Sequence, residues 1–156
     1  MAFRKRPRLP SLGLLISLAC LLASVMWLVS LWKIRHQQVR AHHGLITVDL
    51  RKLAPGSARS YVYRDRAGTK LRFILARDEA GMTHAAFDAC RRCYVYRDGY
   101  AVEAGRLVCR FCGNSYAIKD MEHGEASCVP VKLKVKVSGE SATINLGELE
   151  AGRWLF

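Results

Sequence analysis

The sequence predicts a mainly β domain carried behind a single N-terminal transmembrane helix. Three observations predict it. Ser11–Trp32 contains no charged residue. From Gly44 onward, apolar and polar residues alternate with the period of two that marks strands with one buried face. Five of the six cysteines fall between Cys90 and Cys128, four of them as two C-x-x-C pairs. The chain thus divides into a basic tail over residues 1–10, a membrane helix over 11–32, a polar connector over 33–43 and a cysteine-rich β domain over 44–156. The last is long enough for one domain with its own core but not for two domains.

Taken in order, Met1–Pro10 is short and basic, and the uncharged run that follows makes a helix about 33 Å long, against a hydrocarbon core of about 30 Å. Trp27 and Trp32 suit the aromatic belt at its far end. The run exceeds a signal-peptide core and lacks a small-x-small exit, so a retained anchor is expected. Cys20 lies inside it, after Ser17-Leu18-Ala19, a poor lipidation signal. Lys33, Arg35 and Arg40 follow the helix, but Arg4, Lys5, Arg6 and Arg8 packed before it place the N-terminus in the cytoplasm and the domain outside. Those four leave 21 basic against 13 acidic residues in the remainder, within a net charge of +12. The charge is spread without a long basic block, which argues against nucleic acid and for a solvated surface near the anionic headgroups of the lipid bilayer. His36, His42 and His43 belong to the connector, where no specific role is expected of them.

Leu45–Leu50 reads as the first strand and Ala54–Ser57 as a turn. Ser60–Arg64 then pairs with Lys70–Arg77 across Asp65–Thr69, a loop of turn formers. Asp78–Gly81 turns the chain into Met82–Phe87, which delivers the first cysteine pair. Tyr94–Tyr96 and Tyr100–Val102, split by Arg97-Asp98-Gly99, are expected to form a hairpin, and Arg106–Val108 delivers the second pair. Val131, Leu133, Val135 and Val137 alternate with Lys132, Lys134 and Lys136, as in a strand with one core face. Ser138–Ser141 turns into a final strand, Ala142–Leu146.

The cysteines form a C-x2-C-x15-C-x2-C pattern: Cys90 and Cys93, fifteen residues, then Cys109 and Cys112. At this separation two short turns can face each other and put four sulfurs around one metal centre. The pattern points to a metal site without choosing between iron, an iron–sulfur cluster, zinc and copper. Arg91, Arg92 and Arg110, placed between the ligands, would lower the thiol pKa values. Gly113 allows the sharp turn of a knuckle and lets backbone N–H groups face the sulfurs. Cys128 is a fifth thiol, one too many for a single tetrahedral ion. Disulfide staples and a structural zinc ribbon are the plainer explanations of the same residues.

His84, six residues before Cys90, reads as an ordinary histidine, and Tyr61, Tyr63, Tyr94, Tyr96 and Tyr100 as packing residues. Asp88 is placed to hydrogen-bond to the first cysteine loop. It has no paired carboxylate, so an electron carrier or metal-binding accessory protein is expected rather than a stand-alone enzyme.

The order of strand, ligand loop, hairpin, ligand loop, covering segment and two final strands resembles the cluster-binding part of Rieske proteins, with cysteine at all four ligand places. Rieske-like and rubredoxin-like or zinc-ribbon knuckles therefore both fit. A more specific resemblance covers residues 82–131. Phe87-Asp88-Ala89-Cys90, Cys93-Tyr94, Gly99-Tyr100, Val108-Cys109, Cys112-Gly113, Ile118 and Cys128-Val129-Pro130 resemble the FtrD-like membrane protein family, iron–sulfur membrane proteins found with bacterial ferrous-iron uptake systems. The resemblance implies an electron-transfer partner of an inner-membrane iron permease or other redox membrane protein. It implies Cys90, Cys93, Cys109 and Cys112 as ligands, with Cys128 as an associated cysteine. Many relatives have several membrane spans where this chain has one, so a part in the transport channel itself is not expected. Two other functions fit the residues: metal handling by thiolate exchange, which suits Cys128 and the exposed histidines, and thiol–disulfide cycling, which lacks the expected βαβ surroundings.

Overall fold

The computed structural model describes residues 36–123 and 128–156, together with residues 20, 21, 23, 24 and 26. The chain divides into two units, Met1–Arg35 and His36–Phe156. The tail over 1–10 and most of the expected membrane helix over 11–32 lie outside the described residues. Among the described residues no helix is long and apolar enough to cross a membrane.

The second unit runs β1 (Gln37–Val39), β2 (Leu45–Asp49), β3 (Ser57–Arg64), β4 (Lys70–Arg77), β5 (Thr83–Cys90), β6 (Tyr100–Glu103), β7 (Arg106–Cys109), β8 (Ser115–Ala117), β9 (Pro130–Lys132), β10 (Lys136–Ser138), β11 (Ser141–Asn145) and a closing helix α1 (Leu146–Ala151). They form a five-stranded sheet in the order β1-β3-β4-β5-β9 and two three-stranded sheets, β10-β11-β2 and β6-β7-β8.

The central strands decide the layering. In β4, Leu71, Phe73 and Leu75 point one way and Ile74 and Ala76 the other, and all five are buried. A strand buried on both faces must sit between two layers. Leu71, Phe73 and Leu75 join Ile46, Val48, Ala142, Ile144, Leu149 and Leu155 in one core, against the β10-β11-β2 sheet and the C-terminal residues. Tyr61 stacks on Phe73 at 5.3 Å within it. Ile74 and Ala76 join Ala86, Leu107, Ile118 and Met121 in a second core against β6-β7-β8. Cys90, Cys93, Cys109 and Cys128 are buried in that second core.

Two aspartates lock the hairpin loops that set the register of the large sheet. Asp65 Oδ1 accepts the Thr69 N–H at 2.8 Å, and Asp78 Oδ1 accepts the Met82 N–H at the same distance. Each is a side chain closing a turn on its own backbone. The second Asp65 oxygen pairs with Arg153 at 2.9 Å, tying the first loop to the C-terminal turn.

Four sequence expectations change. Tyr94–Tyr96 is a turn of 3-10 helix, closed by Tyr96 N–H to Cys93 O and Arg97 N–H to Tyr94 O. Arg97 then takes a left-handed conformation, φ +57°, so the chain curls instead of extending. The hairpin there is β6–β7, which turns through Ala104 and Gly105, both at positive φ, as a two-residue hairpin of matching twist requires. The alternating run from Val131 to Val137 is split between two sheets. Leu133 is buried at the break, and Val137 is exposed. Gln37–Val39, within the expected connector, forms β1 and pairs parallel with β3. Finally, Leu146 opens a short helix whose N-terminus is capped by the Asn145 side chain accepting the Gly147 N–H at 2.8 Å.

Candidate metal centre

β5 and β7 each end on a cysteine, and each runs directly into a tight turn carrying the second cysteine of its pair. In β5 the even-numbered residues His84, Ala86, Asp88 and Cys90 share one face, the face of the second core. Cys90 therefore emerges beneath the β6-β7-β8 sheet. In that sheet Tyr100 lies opposite Cys109, and Leu107 opposite Tyr116. Gly113, φ +74°, completes the second turn, with its N–H on Cys109 O at 2.8 Å. Cys128 arrives just before β9, where Arg91 N–H to Val129 O, 3.1 Å, fastens that segment to the first cysteine turn.

The five thiols gather in two overlapping groups. The Sγ atoms of Cys90, Cys93 and Cys128 all lie within 4.8 Å of one another, as do those of Cys93, Cys109 and Cys112. Cys93 Sγ and Cys128 Sγ are 3.8 Å apart. Cys112 is exposed, and the other four are buried. Among the described residues no histidine enters either group. A single four-coordinate ion at a Zn–S distance of about 2.3 Å needs four sulfurs about 3.8 Å apart. Cys93 and Cys128 stand at that spacing, and the two triplets, each within 4.8 Å, share Cys93. All-thiolate donors are soft ligands, suited to iron–sulfur clusters, zinc or Cu(I), and the residues present fit such a group.

Burial pushes all five thiols up, but hydrogen bonds decide two of them. On Cys90 the N–H groups of Cys93, at 3.3 Å from its sulfur, and of Arg92 overcome burial and leave the thiol below its ordinary value. On Cys112 the Asn114 N–H and the neighbouring thiols do the same. Cys93, Cys109 and Cys128 stay raised, burial being the largest cause. Backbone donors at the turns, more than the arginine side chains expected from the sequence, thus stabilise the thiolates.

Two phenols close the inner side. Tyr100 donates its hydroxyl hydrogen bond to Cys128 O at 3.0 Å, and the Tyr116 hydroxyl is buried without a hydrogen-bond partner among the described residues. Tyr116 escapes sequence reasoning. Counting alternation back from Cys109 to Leu107, and across to its partner strand, would have found it. Asp88 is buried and its Oδ1 accepts the Tyr100 N–H at 2.7 Å. Burial raises its carboxyl above the ordinary value. His84 is buried between carboxylates, with Nε2 3.0 Å from Asp78 and Nδ1 3.6 Å from Glu122. Glu122 also pairs with Lys132 at 2.7 Å. His84 thus joins β5 to the segment that leads toward Cys128 and to β9.

Among solved structures, the complex of reduced oxygenase and oxidized ferredoxin in carbazole 1,9a-dioxygenase contains a chain 14% identical to this one, covering 67% of this chain and 95% of that chain at a TM-score of 0.45. The quaternary ammonium Rieske monooxygenase CntA in complex with an inhibitor is 15% identical, covering 74% of this chain and 32% of that chain at a TM-score of 0.44. No curated protein sequence matches. A family model described as membrane iron-sulfur containing protein FtrD-like matches residues 53–156, the cysteine-bearing β domain almost from end to end, and the chain belongs to that FtrD-like family.

Proposed function

We propose that this protein is a membrane-anchored electron carrier whose β domain holds an iron–sulfur group between its two cysteine turns. The observation that carries the reading is the convergence of four buried thiols and the exposed Cys112 at one core of a chain from an iron–sulfur family. Cys90, Cys93, Cys109 and Cys112 are the ligands, and Cys128 adjoins them without being required for holding the group. An iron–sulfur group supplies one-electron transfer. The protein's own residues do the rest. Leu107, Ile118 and Met121 exclude water from the inner side, and the N–H groups of Cys93 and Arg92 favour the Cys90 thiolate. The exposed Cys112 leaves one edge close to solvent. The uncharged Ser11–Trp32 run anchors the domain in a bacterial inner membrane, on the periplasmic side. There it serves an iron permease of a ferrous-iron uptake system or another redox membrane protein.

The test is anaerobic purification of the full chain in detergent, with iron and sulfide analysis and visible and paramagnetic resonance spectra. Cys109→Ser should lose the group, whereas Cys128→Ser should keep most of it with a shifted potential. A colourless protein with stoichiometric zinc, or full iron content in Cys109→Ser, would sink the reading. Protease added to intact spheroplasts should remove the domain, and protection from it would reverse the topology.

A further inference from the structure

The outer ends of the two cysteine turns carry an aromatic pair with no cover among the described residues. Tyr96 and Phe111 stack with ring centroids 3.5 Å apart and planes within 9°, yet they are 54% and 48% exposed. Val95, next to Tyr96, is 62% exposed. Phe111 stands between Cys109 and Cys112, and Tyr96 three residues after Cys93. Single exposed apolar residues are ordinary, but a contiguous patch astride a functional site marks a contact surface. Its position is fixed by the backbone beneath it. The Arg110 N–H binds Gly99 O at 3.1 Å, and Arg72 Nη2 binds Arg97 O at 2.7 Å. A patch held this firmly loses little conformational freedom on binding.

The two turns that carry the patch are basic. Arg91 and Arg97 are exposed and Arg110 is half-buried, whereas Asp98 is the one acidic residue in these two turns. Apolar patch and cationic turns together select a partner with the opposite arrangement. We propose that this tip docks an acidic redox protein, whose carboxylates meet Arg91 and Arg97 around an apolar centre seated on Tyr96 and Phe111. The redox character of the partner rests on the electron-carrier reading, but the contact itself does not. Docking there brings the partner against the exposed Cys112 edge of the thiols.

The experiment uses full-length protein in detergent, tethered to a sensor, with flavodoxin as the acidic redox probe and a basic cytochrome c as its opposite. Flavodoxin should bind and weaken steeply as salt rises, because the arginine charges are solvent-exposed and screened. Cytochrome c should not bind. Phe111→Ala should weaken flavodoxin binding by about thirtyfold, the scale of an aromatic anchor, and Phe111→Tyr should retain it. Arg91→Glu with Arg97→Glu should weaken it by at least about tenfold, and Lys136→Glu, on a different sheet, should leave it unchanged. Circular dichroism and metal content check that each variant is folded. Absent or salt-insensitive flavodoxin binding, an unchanged Phe111→Ala, or equal loss in Lys136→Glu overturns the proposal. Preferential binding to phosphatidylglycerol vesicles, lost in the same variants, would assign the tip to the membrane and overturn it as well. Zinc-loaded protein that binds flavodoxin with this mutational pattern supports the docking surface while sinking the electron-carrier reading.

Discussion

Gly99→Ala tests the join between the two cysteine turns. Gly99 has φ +66°, and a Cβ built there would overlap Asp88 Oδ1 and lie 2.8 Å from Asp88 Cγ. Asp88 has little room to yield, because it is 1% exposed and accepts the Tyr100 N–H at 2.7 Å. The left-handed backbone costs a residue with a Cβ roughly 1–2 kcal/mol. Displacing the carboxylate leaves the Tyr100 N–H buried and unpaired, a further cost of about 1–3 kcal/mol. The sum, about 2–5 kcal/mol, is a large share of the stability of an ordinary domain, about 5–15 kcal/mol. With a urea dependence of about 1–3 kcal/mol per molar, the unfolding midpoint should fall by roughly 1–2 M, read by tryptophan fluorescence on the full chain in mild detergent. Gly99 O also accepts the Arg110 N–H, so the loss should extend to retention of the metal group. Combining Gly99→Ala with Asp88→Ala should cost less than the two single changes added, because removing the carboxylate relieves the overlap. A Gly99→Ala protein within about 0.5 kcal/mol of the parent, the range of a neutral surface change, would refute the packing argument.

Three further outcomes are expected. Gly152→Ala places a Cβ against the edge of the Phe87 ring, 3.0 Å from Cδ1 and nearer still to Cε1 and Cζ. It should destabilise by about 1–3 kcal/mol in the same urea titration. Metal loading should weaken as pH falls, because Cys93 and Cys109 are raised and must release protons to bind. Chelator competition between pH 8 and pH 6 should show about tenfold per pH unit for each proton released, and a flat profile would contradict it. Asp78 is held below its ordinary 3.8 by the hydrogen bond from His84. On Glu122 burial acts upward, but Lys132 outweighs it and leaves the carboxyl below its ordinary 4.5. Both lowered carboxyls contribute stability that is complete above those ordinary values and is lost as pH falls through the lower folded ones. Acid titration of Asp78→Asn should therefore show a shallower loss of stability than the parent, and an identical curve would refute the His84–Asp78 assignment.

Much of the fold was legible because strands and turns are written locally. The period-two alternation located β2, β3, β4, β5 and β11 to within a few residues, and Asp65 and Asp78 stood where the loops needed side chains to close them. The paired cysteines marked where the thiols gather, since C-x-x-C spacing is itself the geometry of a knuckle. Local pattern failed where partners distant in sequence decide the outcome. Tyr94–Tyr96 has the composition of a strand, but the curl around Cys93 and the contacts of Tyr94 with Trp154 and of Tyr96 with Phe111 take it out of any sheet. The lysine-alternating run reads as one strand, and its division between two sheets follows from pairing with β5 on one side and β11 on the other. Tyr116, Asp88 against Gly99, and His84 between Asp78 and Glu122 were likewise invisible as constellations. The sequence by itself thus determined the strand-forming segments, the loop closures and the thiols available. Tertiary structure alone decided that β4 is buried on both faces, that Cys128 lies 3.8 Å from Cys93, and that two exposed rings stack over the cysteine turns. The physical reason is that periodicity fixes which way a side chain points along its own strand, whereas the neighbour it meets is fixed by register and layer packing, which depend on the whole chain at once.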